Sequence, residues 1–115
     1  MLERDWKTLF HIKSEEKKIP EFKGGEGHLL THMFSNELGK IMRACLEPGC
    51  SIGMHTHDTS SEVIYILSCS GKCIYDGNIE NVSAGQCHYC PKGHTHSLIN
   101  DSDKPLEFLG IVPEQ

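Results

Sequence analysis

The chain has 115 residues, the size of one domain and too short for two independent cores. Its formal net charge of −5 and isoelectric point near 5.9 give no basic field for a phosphate backbone, so nucleic acid is not an expected partner. The opening "MLERDWKTLFHIKSEEKK" is charged throughout, and no later stretch approaches the roughly 20 apolar residues that span a bilayer, so no membrane partner and a cytoplasmic location are expected.

In chain order, the segment before Pro20 is weakly patterned, with "WKTLF" (Trp6 to Phe10) as its apolar patch. It reads as a short helix or as an arm laid on the barrel or on a second subunit. Residues 1–34 are taken as this arm with the first strand or strands, and residues 35–115 as the body of the same single domain. Strand-like runs then follow: "GHLLTHMF", "GKIMRACL", "SEVIYIL", "GKCIYDG", "QCHYC", "HSLIN" and "LEFLGIV". Turn clusters "SNELG", "PGCSIG", "YDGN", "SAGQ" and "NDSDKP" separate them. Asp76 and Gly77, in "IYDGNIENV", form the dipeptide type that supplies the positive φ angles of a tight hairpin. Many short strands at near-regular spacing predict an all-β sandwich or barrel with antiparallel pairing.

The stretch "MHTHDTSSEVIYIL" carries the chemistry. On a strand His55 and His57 point the same way, about 7 Å apart along the chain, and can converge on one ion. Glu62 follows a short turn and can reach the same point if the two strands are neighbours. Ile64 and Ile66 share its face, which predicts an apolar interior. Imidazoles and a carboxylate facing such an interior are costly to bury without a compensating charge, which a divalent metal supplies. Downstream, His96, Leu98 and Asn100 share one face, so His96 can add a third imidazole. Three imidazoles and a carboxylate suit Fe, Mn, Ni, Cu or Zn, with positions left for water or a small-molecule ligand or substrate.

These two stretches resemble the motifs of the cupin superfamily. The first motif reads Gly49, His55, His57 and Glu62, with Cys69 where the family's pattern has glycine and Gly71 two residues on. The second reads Gly85, Pro91, Gly93, His96 and Asn100, with every spacing in place. The resemblance covers about Ser35 to Val112. It implies a double-stranded β-helix or jelly-roll barrel with His55, His57, Glu62 and His96 as metal ligands. It also implies a homodimer, with "WKTLF" or "HLLTHMF" expected in the contact.

His94 shares strand parity with His96 and is a candidate acid/base or supporting donor at the mouth of the site, against a simple rim histidine. His88, of opposite parity to Cys87 and Tyr89, reads as structural. His28 and His32 are remote candidates for lining the pocket, and Arg43 for clamping an anion if its face turns inward. Without a secretory signal the six cysteines read as thiols; Cys45, Cys69, Cys73, Cys87 and Cys90 are expected to pack, and Cys50, in its loop, to be the more reactive. "CHYC" lacks both the second pair of a zinc ribbon and the helix of a redox motif.

The resemblance implies a metal-dependent enzyme of dioxygenase, isomerase, decarboxylase or lyase type, with the metal as Lewis acid or O2 platform. The alternative is a non-catalytic metal- and ligand-binding module with a sensing or regulatory role, since a fold alone does not assign an activity.

Overall fold

The computed structural model describes residues 16–115, so "WKTLF" lies outside the described residues. Ten strands are present there: β1 (Lys17–Pro20), β2 (His28–Asn36), β3 (Gly39–Leu46), β4 (Ser51–Thr56), β5 (Glu62–Ser68), β6 (Ser70–Tyr75), β7 (Asn78–Ser83), β8 (Cys87–Cys90), β9 (Thr95–Ile99) and β10 (Leu106–Pro113). A 3₁₀ turn, Phe22–Gly24, lies between β1 and β2. The strands form two antiparallel sheets, one of six strands in the order β1-β2-β3-β10-β5-β8 and one of four in the order β4-β9-β6-β7. No helix among the described residues is long and apolar enough to cross a membrane.

Side-chain alternation builds the interior. Met42, Ala44 and Leu46 on β3, Leu106 and Phe108 on β10, and Ile64 and Ile66 on β5 face inward from the larger sheet. Ile52, Cys73, Val82 and Leu98 meet them from the smaller one. The inward rows turn polar at one end. Glu62 precedes Ile64 and Ile66, and His96 precedes Leu98, so the same parity that makes the core delivers the polar groups beside it.

Several turns follow their residues. Asp76 and Gly77 both have positive φ, 47° and 82°, and join β6 to β7 through the Tyr75–Asn78 pair. Cys69, at the glycine position of the family motif, has a φ of 73°, and its Sγ lies 3.0 Å from the Ser102 hydroxyl. The motif asparagine is fully buried. Asn100 donates from Nδ2 to the Leu46 and Lys104 carbonyls, at 2.8 and 2.7 Å, and accepts from the Ser102 amide, closing the connection to β10.

Two expectations need correction. "PGCSIG" is not wholly a turn, because β4 begins at Ser51 and a bulge lies between Ile52 and His55. Three steps on β4 oppose two on β9, so Ile52 pairs with Leu98 and His55 with His96, and both histidines face in. The thiols are also redistributed. Cys50 is buried, with its Sγ filling the space beside Gly27, and Cys87 is exposed. Cys87 and Cys90 are three apart on one strand, so they cannot both face the core; Cys90 does, with Cys73.

Candidate metal centre

His55 and His57 come from β4 and the residue beyond it, His96 from β9, and Glu62 from the head of β5. β4 and β9 are paired neighbours, whereas β5 belongs to the other sheet. Glu62 therefore meets the histidines across the barrel interior and not from a neighbouring strand as expected. The three Nε2 atoms lie 2.9 to 3.2 Å apart. The Glu62 Oε1 is 3.0 Å from that of His57, 2.9 Å from that of His96 and 3.8 Å from that of His55. His57, Glu62 and His96 are buried and His55 is half-buried.

Each ligand-type histidine is held from behind. His55 Nδ1 donates to the Gly53 carbonyl at 2.8 Å, and His57 Nδ1 pairs with the Ser60 hydroxyl at 2.9 Å. His96 Nδ1 is 3.0 Å from His88 Nε2, and the other nitrogen of His88 is 2.9 Å from the Glu80 carboxylate. A carbonyl only accepts, so the neutral His55 ring carries its hydrogen on Nδ1 and turns a bare lone pair inward. Lone pairs crowded at such distances are stable with an electrophile between them. The donor set fits a divalent transition ion by its chemistry, three imidazole nitrogens and one carboxylate oxygen within 4.8 Å of one another.

The electrostatics are consistent with that fit. Burial pushes the Glu62 carboxyl up, but its close polar contacts with the His55, His57 and His96 side chains outweigh this and hold the group well below the usual carboxylate range. Burial lowers the His96 imidazole, and the neighbouring His55 and His57 add to this against the opposing pull of Glu62. Both shifts favour the deprotonated forms that a metal requires.

His55, His57 and Glu62 of the cluster line an open cavity of about 570 Å³, while His96 is fully buried. Its wall includes Phe22 and Lys23 of the 3₁₀ turn, Lys40 of β3, and Asp58 and Glu114. Gly53 brings the turn in. A Cβ there would stand 2.0 Å from the Lys23 carbonyl oxygen, so the two backbones pass in direct contact. Gly110 does similar service for Glu62, since a Cβ on it would meet Met42 Cε at 2.9 Å and Glu62 Oε2 at 3.3 Å.

The remaining candidates stand elsewhere. His94 pairs with the Asp76 carboxylate and the Tyr75 hydroxyl at the β6–β7 turn. His28 pairs with Glu47 at 3.1 Å, His32 lies 4.0 Å from the Glu16 carboxylate, and Arg43 pairs with Glu107 on the outer face; none of the three lines the cavity. His88, read as structural, proves to touch His96 directly. The sequence shows its parity, opposite to Cys87 and Tyr89, but with Cys87 expected to pack it shows neither the inward face of His88 nor its partner in the opposite sheet.

Two facing antiparallel sheets with three histidines and a glutamate converging in their shared interior define a jelly-roll barrel with a candidate metal site. The chain belongs to the cupin family, its residues 42–112 matching the Cupin_2 model, described as a cupin domain. It is similar to an oxalate-binding protein of Thermotoga maritima, with 30% identity over 110 residues that cover 88% of this chain and 91% of that one. Among solved structures it resembles a predicted oxalate decarboxylase from Thermotoga maritima, with a TM-score of 0.84 and 26% identity over 90% of this chain and 95% of the other. A cupin 2 conserved barrel domain protein from Salinispora arenicola shares the fold at a TM-score of 0.63 and 20% identity, over 73% and 76% of the two chains.

Proposed function

We propose that the protein binds small dicarboxylates of the oxalate type through a divalent transition metal held by His55, His57, Glu62 and His96. The observation that carries this reading is the convergence of three tethered imidazole nitrogens and one carboxylate at an open cavity. The oxalate-binding relative supports the ligand class. A bound divalent ion would supply Lewis acidity and open positions for carboxylate oxygens. The chain's own residues orient the site. Gly53 and Ser60 fix two imidazoles, Glu62 contributes the negative charge, and Lys23 and Lys40 are the cationic side chains on the wall for a ligand's outer carboxylate.

Turnover is the second reading, favoured by Asp58 and Glu114. Both line the cavity outside the ligand set, so a carboxyl group is at hand to move a proton. Elemental analysis of protein purified without added metal should find about one equivalent of a transition metal per chain. Oxalate titrated against metal-loaded and chelator-stripped protein should bind only the loaded form; equal binding to both would refute the metal-held ligand. Formate and CO2 appearing as oxalate disappears would decide for a decarboxylase, and intact oxalate recovered in full for a binding module.

We also propose a homodimer through the outer face of the larger sheet. Phe34, Ile41, Ile111, Val63 and Tyr89 form one register row across five strands there, and most of that row is exposed. Light scattering should give twice the 12.9 kDa chain mass, and a monomer at tens of micromolar would reject it. We place the protein in the cytoplasm, where its six cysteines stay as thiols.

A further inference from the structure

We infer that Glu80 and His88 are a positioning pair for His96, fixing which of its ring nitrogens carries the hydrogen and so holding the Nε2 lone pair toward the centre. The inference rests on the metal reading above and adds two residues on β7 and β8 that the ligand set does not include.

His88 faces inward from β8 and is 3% exposed. Its ring lies end to end with that of His96, centroids 5.2 Å apart and planes within 21° of parallel, and Tyr75 closes on it edge-on at 5.7 Å. Such packing leaves the imidazole one orientation. In it, Nδ1 meets Glu80 Oε1 at 2.9 Å and Nε2 meets His96 Nδ1 at 3.0 Å.

The hydrogen assignment then runs one way. An ionised carboxylate only accepts, so His88 donates from Nδ1 to Glu80. The neutral His88 ring is left with an acceptor at Nε2, so the hydrogen between the two rings belongs to His96 Nδ1. Neutral His96 therefore offers a bare lone pair at Nε2, 2.9 to 3.2 Å from the Nε2 atoms of His57 and His55. The other two rings do not depend on a distant charge. His55 is set by a backbone carbonyl, and His57 faces a hydroxyl that can donate or accept. His96 alone among the three takes its tautomer from a carboxylate two residues removed, on a side chain that is half-exposed. Partners of this kind orient ligand imidazoles and raise their basicity, and their loss typically weakens metal binding about 10- to 100-fold.

The test is Co2+ binding to the full chain, followed by competition with a chromophoric chelator and by the visible absorption of the bound ion. Glu80→Ala and His88→Phe should each weaken Co2+ at least about tenfold and shift the absorption bands. Glu80→Gln, whose amide oxygen still accepts from His88, should stay within about threefold of the native protein and keep its spectrum. A role in packing alone would lower the melting temperature and leave affinity and spectrum unchanged. If the native protein binds Co2+ and Glu80→Ala matches it in both, the positioning role is overturned while the metal centre stands. Glu80→Gln as weak as Glu80→Ala would overturn the tautomer argument. Failure of the native protein itself to bind Co2+, Mn2+ or Zn2+ would remove the metal reading and this inference with it. Glu80 is half-exposed, so its variants decide the matter even if His88→Phe does not fold.

Discussion

Removing the metal should loosen the whole barrel, and the size of the effect can be worked out. The proposed ligands come from β4, β5 and β9, so they draw on both sheets, and an ion between them would tie the sheets together. An ion that binds only the folded chain stabilises it by RT ln(1 + [M]/Kd), about 2.7 kcal/mol at a hundredfold excess over Kd. With 115 residues at about 2.1 cal/mol/K each, the unfolding entropy is about 0.24 kcal/mol/K. The melting temperature should therefore fall by about 11 °C when a chelator strips the loaded protein. The unfolded chain exposes six cysteines that would bind soft metals and shrink the shift, so Mn2+ is the cleaner probe and Co2+ the second. Calorimetry on loaded and stripped protein reads the shift directly. His96→Ala should abolish it, as should His55→Ala at the half-buried ligand position. A native protein that melts within about 2 °C in either metal and in chelator would refute the argument.

Other outcomes follow from the packing. In native-state thiol labelling at pH 8, exposed Cys87 should react first, while burial pushes the Cys73 thiol up to about 12 and the Cys90 thiol up to about 11 and leaves both slow; Cys90 labelled as fast as Cys87 would contradict the strand parity. Gly53→Ala puts a methyl 2.0 Å from the Lys23 carbonyl oxygen and should cost about 1–3 kcal/mol in denaturant unfolding, with weaker oxalate binding because the 3₁₀ turn is displaced from the cavity. At Cys69, with its φ of 73°, Cys69→Gly should change stability by no more than about 0.5 kcal/mol, whereas Cys69→Val should lose at least about 1 kcal/mol. A valine tolerated there would show that the turn relaxes.

Parity along single strands was legible in the sequence. Ile64 and Ile66 behind Glu62, and Leu98 behind His96, are period-two signals that need no knowledge of neighbours, and both inward rows are found in the barrel. What depended on pairing between strands was not. The β4 bulge sits in a stretch whose Pro48, Gly49 and Gly53 read as breakers, and nothing local says that Gly53 is inside a strand. The reach of Glu62 across the interior, the contact of His88 with His96 and the approach of Lys23 to Gly53 all join distant segments. Composition alone makes Cys87 and Cys90 both core residues, but they are an odd number of residues apart and one strand buries only one of them.

The place of β10 bears on how the barrel is assembled. It is the last strand described, yet it lies in the middle of the six-stranded sheet, paired to β3 on one side and β5 on the other. A chain emerging from the ribosome thus carries β3 and β5 with one open edge apiece until Leu106–Pro113 arrives. Both edges would be templates for wrong pairing in that interval, and closure joins segments some forty to seventy residues apart in register, such as Leu106 with Leu46 and Phe108 with Ile66. Closure of the larger sheet therefore waits on β10, and a chain truncated ahead of Leu106 is expected to aggregate instead of forming a smaller barrel.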